Sequence, residues 1–360
     1  MEIGIVGLPY SGKTTLFSTL LNIKSEASHG AKGQAERGVV KVPDERLEKL
    51  TAMFNPKKEV HTTIEFVKVA GLEGDGNKPQ GLPAQFMANL KNVDAILVMV
   101  RDFENDYYPH PFDSVDPRRD IDFINGEFLL SDLAIVETRV EKLEKLVQKL
   151  KEDKDIRELA LMTKFREQLE NEKPIRELEL TADEQKIMKG YQFVTAKPLL
   201  YCINVAEGEA GNSADIENKY ADLAGNECQV VSLSAEIEKE ISELPDEDKA
   251  DFMEDLGITE PALDKLIRAS YELLGLISFF TVGEDECRAW TIRRGTNAQK
   301  AAGVIHSDLE KGFIRAETVH YDDLIANGSM NACRDKGLLR LEGKEYPVKD
   351  GDILNIRFNV

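Results

Sequence analysis

Apolar residues along this chain recur in two different rhythms. Short unbroken apolar runs come first: EIGIV at 2–6, then the apolar core of TTIEFVKVA at 62–70 and of VDAILVMVRDF at 93–103. Much later come KPLLYCINVAE at 197–207 and NECQVVSLSAE at 226–236. Runs of this length without polar alternation suit strands buried on both faces of a parallel sheet. Helical spacing separates them, as in TLFSTLLNI after the first run. Five such strands with intervening helices predict an α/β doubly wound domain.

The second rhythm interrupts the first between about 126 and 196. Leu129, Leu133, Val136, Val140, Leu143, Val147 and Leu150 follow one another at alternating steps of four and three. That is a heptad seam with charged residues in the gaps. Ile156, Leu159, Met162, Phe165 and Leu169 continue in helical period before Pro174. Two helices with facing seams predict an antiparallel coiled-coil hairpin inserted into the sheet domain. The plainer alternative is two surface helices packed on the sheet. From about 278 the chain alternates apolar and polar residues around glycine-containing turns, with a helix-like stretch at 297–312, which predicts a small α+β domain. The expected division is therefore 1–125 and 197–277 for the sheet domain, 126–196 for the helical insertion and 278–360 for the last domain.

Composition adds limits. The chain has 360 residues and is 42% hydrophobic, which suits folded domains with proper cores. No apolar run reaches the roughly 18 residues needed to span a bilayer, and the N-terminus MEIGIVGLPYSGKTT lacks the features of a cleavable signal. Cys202, Cys228, Cys287 and Cys333 are scattered, as expected of thiols in a reducing cytoplasm. The net charge of −20 is uneven: Glu207–Glu260 carries 17 acids and 3 bases, whereas residues 281–360 carry 13 and 12. Such a field repels nucleic acid. DNA is not an expected partner, and any RNA contact falls to a local patch of the near-neutral C-terminal region. The acidic segment itself reads as a solvated helical face.

The chemistry lies in GLPYSGKT, residues 7–14, which fits GxxxxGK[ST] between a strand and a helix. Glycines let successive backbone N–H groups curl around phosphates, and the following helix turns its positive end toward them. Lys13 reaches the β- and γ-phosphates in this motif and the Thr14 hydroxyl ligates Mg²⁺. Guanine-specific relatives of the fold end a later strand in Asn-Lys-x-Asp. Here that strand ends Asn204-Val205-Ala206-Glu207, without the lysine and with a longer acid. The loss of that reader favours ATP over GTP, although Asn204 alone also suits a strand end that starts a turn.

Taken with GLPYSGKTTLF, VPDERL (42–47), EFVKVAGL (65–72), VRDFEND (100–106), NVAE and AAGVIHSDLEKGFIRAE, the chain resembles the YchF subgroup of the Obg-like ATPases. The resemblance implies an α/β P-loop NTPase (G domain) with an inserted α-helical coiled-coil hairpin and a C-terminal β-grasp (TGS) domain. It also implies ATP as ligand with Mg²⁺, and association with the ribosome, as the large subunit or the whole 70S particle. By position, Tyr10, Ser11, Gly12, Lys13, Thr14 and Thr15 would wrap the phosphates, with Thr14 on the metal. Asn204 and Val205 would contact adenine, with Ser234 and Ala235 beneath it. Leu72 stands where other GTPases carry a water-orienting glutamine, and the resemblance implies His110, within DYYPHPF, as the family's substitute; on sequence alone, a histidine between two prolines reads as a loop residue without function.

Four departures from the family pattern stand out. Tyr10-Ser11 replaces Asn-x in the loop. Lys32 occupies the switch I threonine position in the polar run SHGAKGQAERGVV (28–40), and Lys68 occupies the position of the metal-water aspartate. Glu73 and Asp75 make the run after Ala-Gly unusually acidic. Mg²⁺ wants oxygen ligands, so two lysines weaken its hold. Either the lysines neutralise phosphates directly, or Lys68 turns to solvent and Glu73 or Asp75 supplies the missing carboxylate. His306 is expected to pair with Glu310 one helical turn on. Arg293 and Arg294 beside Trp290 form either a local RNA contact or an ordinary strand-end cluster.

Overall fold

The computed structural model describes residues 1–22, 35–69, 81–225 and 227–359. Twelve strands are described, in chain order β1 Glu2–Val6, β2 Glu36–Lys41, β3 Lys58–Val60, β4 Thr63–Lys68, β5 Ala95–Asp102, β6 Leu199–Val205, β7 Cys228–Leu233, β8 Leu276–Thr281, β9 Glu286–Arg293, β10 Phe313–His320, β11 Arg340–Glu342 and β12 Asp352–Phe358. They form two six-stranded sheets, ordered β2-β4-β1-β5-β6-β7 and β11-β10-β12-β8-β9-β3. The chain divides into two compact units, Met1–Gly38 with Glu65–Leu266, and Val39–Ile64 with Ile267–Val360.

In the first unit the five expected strands are present. β1 pairs in parallel with β4 and β5, β5 with β6, and β6 with β7. Their apolar runs are buried on both faces: β5 from Ala95 to Arg101 and β6 throughout. Parallel strands present their carboxyl ends at one edge, where the following loops gather. β2 was not expected, because it begins in a polar, glycine-containing run. Its residues pair at the sheet edge, where polar side chains are tolerated.

The helical insertion starts earlier than its heptads suggest. Asp116 caps Pro117–Leu150 by accepting from Arg119 N, and proline follows at the first helical position. A two-residue turn leads into Asp153–Glu170, so the second helix runs back along the first. Val136, Val140, Leu143, Leu161, Met162, Phe165 and Leu169 are buried together, whereas Leu150 and Ile156 near the turn are exposed. Arg139 pairs with the buried Glu158, which also accepts from the Tyr191 hydroxyl. Asp132, fully buried, accepts from Val194 N, Thr195 N and Thr195 Oγ1 at 2.7–3.1 Å. Burial pushes its carboxyl up and the three donors oppose that.

The second unit corrects the expected boundary between 1–125 and 278–360. Residues 39–64, read as part of the sheet domain, belong with the C-terminal chain. β3 pairs with β9, and Leu47 and Leu50 of the helix Glu45–Phe54 are buried against a core containing Phe280, Cys287, Val319, Tyr321 and Leu324. VPDERL serves this packing. Asp44 caps the helix, and Arg46 pairs with both Asp44 and Asp350 at 2.8 and 2.7 Å.

Two smaller expectations also change. His306 breaks the stretch 297–312 into Ala298–Ile305 and Ser307–Lys311, with extended backbone and its ring accepting from Asp308 N. It therefore caps a helix instead of pairing with Glu310. The cation on Trp290 is Arg288, 4.0 Å from the ring, because residues two apart share a face of β9. Arg293 lies on the other face, and Arg294 follows the strand end.

Trp290 is the only tryptophan of the chain and lies in the second unit, so its fluorescence reports that unit. Leu50→Ala is expected to destabilise this unit by about 2–5 kcal/mol and so to lower the urea midpoint of the Trp290 signal, despite its distance in sequence from residue 267. An unchanged midpoint would detach the Glu45–Phe54 helix from that core.

Candidate functional site

The phosphate loop leaves β1 and ends in Gly12, whose φ of 100° is left-handed. A Cβ there would lie 2.3 Å from Asn204 Nδ2, so the position requires glycine on two counts. Gly12 offers no side-chain cap to the helix Lys13–Leu20, which leaves its first N–H groups directed at the loop. Lys13 Nζ donates to Leu8 O at 2.6 Å, across the loop. Ser11 is buried and its Oγ has no hydrogen-bond partner. A buried orphan hydroxyl within a glycine cradle at a helix N-terminus fits an anion such as a phosphate.

The loop opens into a cavity of about 840 Å³ within the first unit. Every predicted nucleotide-binding residue lines it: Tyr10, Ser11, Gly12, Lys13, Thr14, Thr15, Asn204, Val205, Ser234 and Ala235. Asn204, buried at the end of β6, braces its floor. Its Nδ2 donates to Ser11 O at 3.0 Å and its Oδ1 accepts from Ala235 N at 2.9 Å. The amide thus ties the phosphate loop to the loop after β7, and Ala235 N is engaged by it. Glu207 lines the cavity and is exposed.

Sequence reasoning passed over Arg101, Phe103, Glu104, Asn105 and Tyr108, which form another wall. The signal for Arg101 was its position, an ionisable residue closing an otherwise apolar buried strand. It is 2% exposed, and burial lowers its pKa.

His110 is not among the residues lining the cavity. Its side chain is buried, with Nε2 2.8 Å from Asp120 Oδ2 and Nδ1 accepting from Phe112 N at 3.2 Å. Arg119 Nη2 lies 3.4 Å from the same Nδ1. Both ring nitrogens are engaged within the protein. The catalytic role that the resemblance implies for His110 would require its ring to leave these partners.

Lys68 does neither of the things its position suggested. Its Nζ pairs with Glu36 Oε1 at 2.8 Å and lies 5.7 Å from the Phe17 ring centroid. It is neither a lining residue of the cavity nor turned to solvent. Glu36 was overlooked because it lies in the polar run in which β2 begins. Lys32, Leu72, Glu73 and Asp75 lie outside the described residues.

A Mg²⁺ ion fits the described residues poorly. Thr14 lines the cavity, but β4 ends in a paired lysine, and no group of three or more His, Cys, Asp or Glu gathers among the described residues. Nor, among them, is any helix long and apolar enough to cross a membrane.

Comparison with known proteins places these features. Residues 2–164 match a family model described as "50S ribosome-binding GTPase". Residues 276–359 match the model YchF-GTPase_C, described as "Protein of unknown function (DUF933)". The chain is 46% identical to "Ribosome-binding ATPase YchF" of Bacillus subtilis (strain 168), with all of both chains covered. It is 42% identical to the protein of that name from Escherichia coli O157:H7, covering 100% of this chain and 99% of the other. "Structure of the Schizosaccharomyces pombe YchF GTPase" superposes with a TM-score of 0.87 at 33% identity, covering 99% of this chain and 97% of that one. A P-loop G-domain fold with end-to-end similarity of this kind settles the relationship: the chain belongs to the YchF family of nucleotide-binding P-loop proteins.

Proposed function

We propose that this chain binds ATP in preference to GTP, hydrolyses it slowly to ADP, and associates in the cytoplasm with the ribosome as a translation-related regulator. The observation that carries the reading is the continuity of one cavity from the phosphate loop to Asn204–Gly208 and Ser234–Glu236. Its residues supply what a nucleoside triphosphate needs. Backbone N–H groups and Lys13 meet the phosphates, and the Asn204 brace fixes the distance from them to the base. ATP preference follows from Glu207 and the absent lysine, since adenine lacks the donors that a carboxylate reads in guanine. Relatives named as ribosome-binding ATPases support the ribosome as partner, and the large subunit or the whole 70S particle is the form proposed here. Exposed Arg293 and Arg294 are the residues proposed to touch RNA through the second unit.

A second reading, a nucleotide-bound adaptor with weak or no hydrolysis, is favoured by the Lys68–Glu36 pair. Mg²⁺, when bound beside a nucleotide, neutralises charge developing on the phosphates. Thr14 would hold it by a hydroxyl, but Lys68 offers no oxygen and keeps its charge on Glu36.

Calorimetry is expected to find ATP bound at least about tenfold more tightly than GTP, and Lys13→Ala to weaken ATP by about tenfold or more, as loss of a charge-assisted phosphate contact does. Equal affinity for the two nucleotides would remove the base argument. Co-sedimentation with 70S particles and separated subunits is expected to carry the full chain into the pellet with the 70S particle or its large subunit. Single-turnover hydrolysis separates the two readings. Slow wild-type turnover, little changed in Lys68→Asp, supports the ATPase. An inert wild type that binds ATP, with turnover gained in Lys68→Asp, supports the adaptor. Because that substitution sets two carboxylates side by side, Lys68→Asp/Glu36→Lys is measured with it to preserve the ion pair.

A further inference from the structure

Among the described residues, two buried polar groups without a hydrogen-bond partner belong to residues lining the nucleotide cavity, Ser11 Oγ and Arg101 Nη2. Ser11 is part of the phosphate loop, but Arg101 belongs to no nucleotide-binding motif. Its other nitrogens are directed at carbonyls: Nε donates to Phe103 O at 2.9 Å and Nη1 to Tyr108 O at 2.8 Å. The guanidinium also lies 4.7 Å from the Phe103 ring centroid. Its hydrogen bonds reach only neutral acceptors, burial outweighs the through-space attraction of the Glu104 and Asp120 carboxylates that favours its charge, and Nη2 is left without a partner. By gripping both ends of the 103–108 loop, it fixes where Tyr108 stands.

Tyr108 meets the phosphate loop. Its ring centroid is 5.3 Å from that of Tyr10, with the planes inclined by 32°. Tyr10 holds a left-handed φ of 63°, which is uncommon for a bulky residue and is found where structure around a site enforces it. Both rings are about half exposed and both line the cavity, so core packing does not account for the pair. Arg101 is also the register partner of Asn204 across β5 and β6. Register partners on adjacent strands share a face of the sheet, so Arg101 and Asn204 stand side by side at the cavity.

We propose that Tyr10 and Tyr108 form an aromatic contact that retains the bound nucleotide, and that Arg101 is its positioning residue, donating from Nη2 to the occupant of the cavity. The inference rests on the nucleotide-binding reading above. Two tyrosine faces at the wall of the cavity offer stacking to a purine, which every adenine or guanine nucleotide provides. The contact acts after entry, so it governs release more than association.

The test follows release of methylanthraniloyl-ATP from the full chain by stopped flow, chased with unlabelled ATP, with the melting temperature of each variant measured in parallel. Tyr108→Ala is expected to release the probe about three- to tenfold faster, the range of an aromatic pair, without lowering the melting temperature appreciably. Tyr108→Phe is expected to release it as the wild type does, because the ring is kept. Arg101→Lys, which loses the planar fork and with it the Nη2 donor, is expected to release the probe at least as fast as Tyr108→Ala, and the double variant to be no faster than Arg101→Lys alone. Wild-type release from Tyr108→Ala, or equal loss in Tyr108→Phe, overturns the aromatic contact. Additive effects of Arg101→Lys and Tyr108→Ala overturn the positioning role. If Arg101→Lys fails to fold, Tyr10→Asn tests the same contact from the phosphate loop. A wild type that binds no probe and shows no ATP in calorimetry overturns the nucleotide-binding reading, and the contact with it.

Discussion

The side-chain amide of Asn204 joins the phosphate loop to the loop after β7, directly beneath the cavity. It donates to Ser11 O and accepts from Ala235 N, so the phosphate loop and the loop after β7 move together. A charged side chain would leave one of these bonds unmade, because only an amide presents a donor and an acceptor side by side. The closeness of Asn204 to Gly12 in turn requires that residue 12 have no side chain. Arg101, beside Asn204 in register, extends the brace to the loop after β5. The cavity floor is thus a short row of buried polar groups on adjacent strands, and the walls are loops hung from it.

Much of this was legible in the sequence where the information is local. Apolar runs marked β1, β4, β5, β6 and β7, because a strand buried on both faces has no polar period to confuse it. The glycine and lysine spacing located the cradle, since the backbone conformations it needs admit few residues. The hairpin seam was visible as well, although Leu161 was missed and the start of the first helix at Pro117 was signalled by an Asp-Pro cap and not by heptads. Contacts between distant segments were not legible. Nothing in Glu36 or Lys68 alone announces their pairing, and the place of residues 39–64 depends on a core that lies more than two hundred residues onward.

The Lys68–Glu36 pair also ties two strands of the first unit together. A metal bridging phosphate to a strand end makes the order of that strand depend on occupancy. A lysine paired to a neighbouring strand holds β2 and β4 together irrespective of any ligand, and its partly buried position shields the attraction from salt better than an exposed pair. His110 adds to this fixed character, with its ring held between Asp120, Phe112 and Arg119.

The assignment of Val39–Ile64 to the C-terminal unit has a consequence for how the chain is made. During synthesis the Glu45–Phe54 helix and β3 leave the ribosome long before β8 and β9 exist. Leu47 and Leu50, destined for a core with Phe280 and Cys287, must wait with their apolar faces uncovered while the first unit is completed. Vectorial folding from the N-terminus therefore cannot finish either unit in strict order. The last hundred or so residues close a core that the first seventy began, so a nascent chain stalled before them carries an unfilled groove partner near its start.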